Sequence, residues 1–356
     1  MDPNFASAYL LLSIAYLNSG DDSRQKELIS KAFALRDHVS EDERLSITGD
    51  YYQFVTHDLG KALDTYQVEA RTYPRNAGPH NQLRMLYASK GEHEKALPEA
   101  QEALRLAPRV GPFVEVVVYE YINLDRFDEA KSYAEKAFSR NVAVPMLHTQ
   151  LLWIAFIQDD HSAQDREIQW LAGRPEKVQS LHLQAYNAMM HGQRCKANEL
   201  SQQVNEVARR QGLAGAQGPP LGAVDALMGD CEAPQKDLAW LCGDAAAVRL
   251  KDEELAKDPS GDPDRVDLVY LRGLAGLRAG KGAEAAAEFQ KILDHKGQNW
   301  GPFYSLGYLG LARGEALAGD TVKAKKTYQD FFTQWKDADP DMPTLIAARK
   351  EYAALK

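Results

Sequence analysis

With 356 residues, 44% hydrophobic and 26% charged, the chain has room for two or three ordinary domains or one elongated repeat array. Such an apolar share excludes a disordered or collagen-like polymer. Lys and Arg total 42 against 51 Asp and Glu, a net charge of -9, and no basic cluster stands out along the chain, which argues against nucleic acid as a partner.

The opening MDPNFASAYLLLSIAYLNSG has neither a basic leader nor a small-residue cleavage site, so it reads as a soluble helix and not as a signal peptide. Further along, GKALDTYQVEARTYPRN (60–76), EKALPEAQEALRLAPRV (94–110) and DEAKSYAEKAFSRNV (128–142) align without gaps, placing Ala62, Ala96 and Ala130 at intervals of 34. A small residue near the start of the second helix of a hairpin lets that helix approach the first. A bulky residue then fills the far end, and a breaker such as Pro74 or Pro108 stops the helix.

Counting from these anchors predicts helix pairs beginning near Ala6, Glu43, Ala77, Gly111, Pro145, Val178, Val266 and Ser305. Their small or large positions are held by Tyr9, Leu12, Tyr16 and Ala32 in the first pair, Leu83, Tyr87, Ala96 and Ala103 in the third, and Tyr121, Ala130, Ala134 and Ala137 in the fourth. Ala197 marks the sixth; Gly273, Ala285 and Phe289 the seventh; Leu311, Ala312, Ala324 and Tyr328 the eighth. Gly20, Gly91, Asp125, Gly192, Gly280 and Gly319 occupy the turns, where a helix C-cap favours them. Two pairs depart from the pattern. The second has Gly49, Asp50 and Gln53 where a first helix normally shows a large residue, Gly and Tyr, so it rests on Ala62, Tyr66 and Pro74, and the fifth has Gln164 in place of alanine among the aromatics Trp153, Phe156 and Trp170, which predicts irregular packing. The apolar stretch 145–158 is too short to span a bilayer. Between 211 and 264 the period is lost among breakers, with short helices near 221–229, 234–242 and 244–257, and an amphipathic helix within 343–355 (Leu345, Ala348, Tyr352) is suited to covering the last pair.

These residues resemble the tetratricopeptide repeat superfamily over about residues 2–352, and the 34-residue spacing is its period. The segments HVSEDERLSITGDYYQFVTHDLGKALDTY, TYPRNAGPHNQL, GKGAEAAAEFQKILDH and LAGDTVKAKKTYQDFFTQWKDADPDMP resemble more narrowly the C-terminal repeat region of bacterial serine/threonine protein kinases that carry such repeats. The resemblance implies an all-α fold, a right-handed α-solenoid (superhelix) of tetratricopeptide helix-turn-helix repeats. Its expected organisation is a repeat array over 1–212 (repeats 1–6), an irregular or degenerate repeat over 213–264, repeats 7–8 over 265–336 and a C-terminal capping helix over 337–356. Because DPNF reads like a junction between repeats, Met1 is expected to be the start of an excised piece.

In that family the ligand contacts come from fixed positions of the first helices. Transferred here, they imply a groove lined by Arg44, Ile47, Tyr51, Phe54 and Val55, then Asn81, Met85 and Ser89, then Glu115, Tyr119, Ile122 and Asn123. Met146, Thr149, Trp153, Phe156 and Ile157 follow, then His182, Tyr186, Met189 and Met190. The stripe is rich in aromatics, Met and Asn, which suits an extended or helical peptide. About half of it is expected to pack as core, with Tyr51, Asn81, Tyr119, Asn123 and Tyr186 the better groove candidates because each carries a polar tip. The run of Lys, Asn and Arg that clamps C-terminal carboxylates in chaperone-binding members is missing.

No catalytic set is expected. The kinase motifs are absent, and Ala275–Gly282 imitates a phosphate loop without its leading Gly or its Ser/Thr. Nine scattered histidines contain no metal-binding pair, and the acidic clusters Asp258/Asp262/Asp264 and Asp337/Asp339/Asp341 lack the order of a calcium loop. Cys195, Cys231 and Cys242 form no Cys-x-x-Cys, and Cys195 on a repeat helix is expected to pack. The expected function is therefore a non-catalytic, cofactor-free protein-interaction scaffold, the docking arm of a signalling kinase. It would bind a protein or peptide, without nucleic acid and without inserting in a membrane. Homo-oligomerisation that brings attached modules together is the alternative. A cytoplasmic location is expected, or an extracytoplasmic one if a longer parent carries a membrane span.

Overall fold

In four of the pairs the second helix follows an aspartate whose carboxylate accepts a hydrogen bond from a backbone amide one turn on: Asp21 from Arg24, Asp58 from Lys61, Asp160 from Ala163 and Asp320 from Lys323. These caps satisfy amides that a helix start leaves without partners. The computed structural model describes residues 5–19, 21–140, 145–173, 178–212, 266–299 and 301–355. In order the hairpins are α1 (Ala6–Ser19) with α2 (Asp22–Ala34), α3 (Glu41–Asp50) with α4 (Leu59–Thr72), α5 (Ala77–Ala88) with α6 (His93–Leu106), and α7 (Gly111–Asn123) with α8 (Phe127–Ser139). Then come α9 (Pro145–Ile157) with α10 (His161–Ala172), α11 (Val178–Met190) with α12 (Arg194–Gln211), α13 (Val266–Arg278) with α14 (Gly282–Asp294), α15 (Pro302–Leu317) with α16 (Thr321–Gln334), and the single helix α17 (Pro343–Ala354). The fold is all-α, of the α-solenoid class, with no strand among the described residues. The degenerate repeat expected over 213–264, its three short helices and the turn at Gly20 lie outside them.

Two helix starts differ slightly from the count. A capping box between Ser40 and Glu43 starts α3 at Glu41, and Pro302 opens α15 three residues before Ser305. Ala62, Ala96, Ala130, Ala197, Ala285 and Ala324 are all fully buried at the close approach of paired helices. The bulky partners Tyr66, Phe289 and Tyr328 are buried nearer the far end. At Gly273 and Gly310 an added Cβ would lie 2.6 and 2.4 Å from the Phe289 ring, so the ring occupies the space left by missing side chains on both α13 and α15. The left-handed turn conformation occurs at Gly91, Asp125, Gly192, Gly280 and Gly319, and also at His57 and Asp159, two positions that composition did not single out.

The described chain groups into two compact units, 1–121 with 128–144, and 122–127 with 145–356. In the first, α3 does not end at Asp50 but widens into a π-helical turn, Tyr51–Val55. The exceptional residues of this pair lie around the start of this turn and meet partners from other helices. Gly49 leaves room for the Tyr66 ring, whose hydroxyl donates to Asp50 at 2.5 Å, while Gln82 of α5 donates to the same carboxylate oxygen at 2.9 Å.

In the second unit α15, α16 and α17 pack on α11 and α12. Leu306, Leu309, Tyr328, Phe331, Trp335 and Leu345 share one core with Leu181, Ala188, Met189 and Val204. The α11–α12 turn is the anchor. The Met190 carbonyl accepts from Ser305 Oγ at 2.9 Å and Trp335 Nε1 at 3.0 Å, and the Cys195 amide donates to Asp339 at 2.8 Å. Gly192, at φ 69°, must be glycine here, because a Cβ would also sit 2.8 Å from Ala338. Gln164, in the alanine position of the fifth pair, is buried and donates from Nε2 to the Ala155 carbonyl at 3.2 Å. Helix α17 is held by Glu351, which accepts from Arg313 Nε at 2.9 Å and Tyr328 Oη at 2.8 Å.

Candidate functional site

Between the first helices of the fifth and sixth pairs, α9 and α11, opens a cleft of about 430 Å³. Met146, Thr149 and Trp153 of α9 face His182, Tyr186 and Met190 of α11, with Leu152, Leu183 and Gly301 completing the wall. Trp153 and Met190 are buried and form its depth, whereas Tyr186 is 38% exposed and stands at the rim. The His182 and Tyr186 rings stack at 5.0 Å and 22°. Burial lowers the His182 pKa and raises that of Tyr186, so both are neutral near pH 7. The cleft is thus an uncharged, mostly apolar depression whose polar side-chain groups are a hydroxyl, an imidazole, a phenol and the Trp153 indole N–H.

The other stripe residues are more dispersed. In the first unit Arg44 is drawn into a bidentate pair with Glu41, at 2.7 and 2.6 Å, on the exposed side of α3. Tyr51 stacks on Phe33 of α2 at 3.8 Å, so its ring face is already covered; Phe54 and Val55 lie half-buried in the π-helical turn. Asn81, Met85 and Glu115 are half-buried, Ser89 is exposed, and Tyr119 meets His93 edge-on at 6.3 Å. Several members are core and not groove. Ile47 and Ile122 are fully buried, Met189 lies in the core of the second unit, and Phe156 packs against Tyr304 and His191. Asn123 was a better candidate for its polar tip, yet it is buried, and its carbonyl accepts from Gln298 Nε2 at 3.1 Å. The 3₁₀ turn Lys296–Gln298 seats there because Gly297 has no side chain: a Cβ would lie 1.6 Å from the Ile122 carbonyl oxygen. Leu152, Leu183 and Gly301 lie outside the stripe. Leu152 and Leu183 fall between contact positions, and Gly301 comes from a segment more than a hundred residues away, so none of the three left a sequence signal.

Close contacts between histidines and carboxylates lie elsewhere. His93 Nδ1 is 2.8 Å from Glu120, and Arg84 reaches the other oxygen of that carboxylate at 3.5 Å; similar pairs join His80 to Glu99 and His148 to Glu167. Among the described residues no group of three or more His, Cys, Asp or Glu is arranged to hold a metal ion. Cys195 is exposed, which corrects the expectation that it packs, and the neighbouring Asp339 carboxylate raises its pKa, away from a reactive thiolate. The loop-like Ala275–Gly282 ends α13 and begins α14, a turn between helices. No helix among the described residues is long and apolar enough to cross a membrane.

Residues 118–141, spanning the end of α7 and α8, match a family model described as tetratricopeptide repeat. No curated protein matches the chain. Among solved structures it is similar to a tetratricopeptide repeat protein from Parabacteroides merdae, at 15% identity and a TM-score of 0.44, over 87% of this chain and 98% of that one. It is also similar to human IFIT1, solved as a dimer with m7Gppp-AAAA, at 11% identity and a TM-score of 0.42, over 90% and 80% of the two chains. A third similar structure is the P58(IPK) TPR domain, at 12% identity and a TM-score of 0.26, over 88% of each chain.

Proposed function

We propose that this chain is a non-catalytic protein-interaction scaffold that seats an apolar side chain of a partner peptide in the cleft between α9 and α11. One observation carries the reading: the depression is already open, about 430 Å³ in volume, with Trp153 and Met190 in its depth and Tyr186 at its rim. A preformed apolar site of this size binds with little ordering cost, and one aromatic at the rim supplies area and a directional hydrogen bond. The absence of charge on its walls favours a neutral anchor over an acidic terminus. Selecting a displayed random-peptide library on the chain, then measuring the enriched peptide by calorimetry, tests this. The expected result is enrichment of an apolar or aromatic residue and a loss of about tenfold or more in affinity in Tyr186→Asp and Met146→Asp, with unchanged melting. Undiminished affinity in both variants overturns the placement.

The finer context rests on the resemblance to kinase-borne repeat regions. On that ground the scaffold is the cytoplasmic docking arm of a bacterial signalling kinase, and the reading frame flanking this chain tests it. Nucleic acid is not the proposed partner, given a net charge of -9.

A second reading, self-association, is favoured by α1. This helix carries no charged side chain; Leu11 and Ile14 on it are 68% and 47% exposed, and Phe5 just before it is 55% exposed. Exposed apolar side chains gathered at one helix make a surface that a second copy of the chain covers favourably. Light scattering over a range of concentrations separates the cases. A mass that rises toward a dimer, and stays monomeric in Leu11→Glu with Ile14→Glu, supports self-association; a concentration-independent monomer refutes it.

A further inference from the structure

The first unit has a smaller depression, about 190 Å³, where α6, α7 and α8 meet. Val114 and Ala137 form a buried floor, with Leu104 and the Tyr133 ring half-buried beside them. Three exposed cations, Arg105, Lys136 and Arg140, make up its rim, and no acidic residue lines it. The site is mainly on second helices, whereas the cleft above is on first helices, so the two are different surfaces.

The pocket is held in shape by contacts that leave its cations outward. Tyr133 packs against Tyr121 at 5.3 Å, and the Tyr121 hydroxyl accepts from Gln101 Nε2 at 2.8 Å, fixing the ring that forms one wall. Lys136 Nζ lies 5.3 Å over the Tyr133 ring, which restrains the ammonium without neutralising it. Arg105 is already shared with Glu102, at 2.7 Å through each of two nitrogens, so Lys136 and Arg140 carry most of the local positive charge. On a chain of net charge -9, a rim of one sign over an apolar floor is a local reversal of field.

We propose that this seam is a second docking site, for an acidic peptide segment that inserts one apolar side chain between Val114, Ala137 and Tyr133 and lays its flanking carboxylates against Lys136 and Arg140. The floor has room for a single side chain, which gives register. The cations give steering and select against basic or neutral segments. A single-stranded nucleic acid would draw on the same cations but would need a longer track of phosphate contacts and open ring faces, and here the one wall tyrosine is already occupied by Tyr121 and Lys136.

The test uses the full chain and a fluorescein-labelled peptide, Glu-Asp-Glu-Leu-Glu-Asp-Glu, read by anisotropy. Saturable binding is expected at low salt, weakening in roughly 0.3 M salt as exposed charges are screened. Lys136→Glu with Arg140→Glu should bind about tenfold more weakly, and a probe with Ser in place of Leu should also lose about tenfold. Both side chains are exposed, so melting should not change; should the reversal perturb folding, Lys136→Gln with Arg140→Gln replaces it. The Tyr186→Asp variant should bind this probe as wild type does, which separates the seam from the cleft. The proposal is overturned if the wild type shows no saturable binding, if charge reversal or the Ser probe leaves affinity unchanged, or if an oligouridylate binds the seam more tightly than the peptide.

Discussion

Asp50 and Glu69 are carboxyl groups in places that disfavour charge. Burial pushes Asp50 up to about 6, against the hydrogen bonds from Tyr66 and Gln82 that favour its ionised form. Burial, helped by Asp42 and Asp50, pushes Glu69 to about 7 although Ser46 donates to it. Both are raised above the unfolded values, so the folded state holds these protons more tightly. The stability linked to them is fully present below about pH 4 and is lost as pH rises through 6 to 7. Thermal melts from pH 4.5 to 7.5 should therefore show a component, on the order of 2–3 kcal/mol for Asp50, that is missing in Asp50→Asn. Parallel wild-type and variant curves would contradict it. Gly49, Asp50 and Gln53 stand out in the sequence as departures from the repeat, but their reason does not, because the Tyr66 and Gln82 groups that they serve belong to α4 and α5. Asn123 shows the converse: a polar tip in a groove register is still buried when Gly297 of a remote turn lets another segment settle on it.

At the scale of elements, the 34-residue alanine spacing is legible because it records a local constraint, the distance between two helices of one hairpin. The aspartate caps at Asp58, Asp160 and Asp320 are likewise local, each acting within one turn. What escaped was geometry chosen against propensity. His57 and Asp159 take the left-handed turn conformation that glycine takes in other pairs, because the connection between two close helices demands it whatever residue is present. The π-helical turn at Tyr51–Val55 adds a residue to a helix whose sequence reads as an ordinary continuation. In the fifth pair Gln164 does not simply loosen the packing; it replaces alanine's close fit with a hydrogen bond to Ala155.

At the scale of the whole chain, the last three helices return to α11 and α12 and do not merely extend a row of pairs. Their shared core, with Met342, Leu345 and Ala348 of the C-terminal segment all buried, covers side chains such as Leu181, Ala188 and Val204. A chain ended at Gly212 would leave that face open to water, where apolar surface drives association. Such a truncation is expected to bind a hydrophobic dye and to aggregate by light scattering. A monodisperse product with an unchanged melt of α9–α12 would show that the return is dispensable.

By itself the sequence determined the class of fold, the helix pairs and the buried alanines, since these follow from periodicity and from interactions a few residues long. It also carried six of the residues that line the α9–α11 cleft, because first-helix positions repeat with the period. Tertiary structure alone decided which members of that stripe stay open and which become core, through partners such as Tyr304 and Gln298 that arrive from distant segments. It decided too where charge collects. Arg105, Lys136 and Arg140 form no cluster along the chain, and only the packing of α6 beside α8 brings them to one rim. The reason is the same in each case: a local pattern constrains neighbours in sequence, whereas a site is made of neighbours in space.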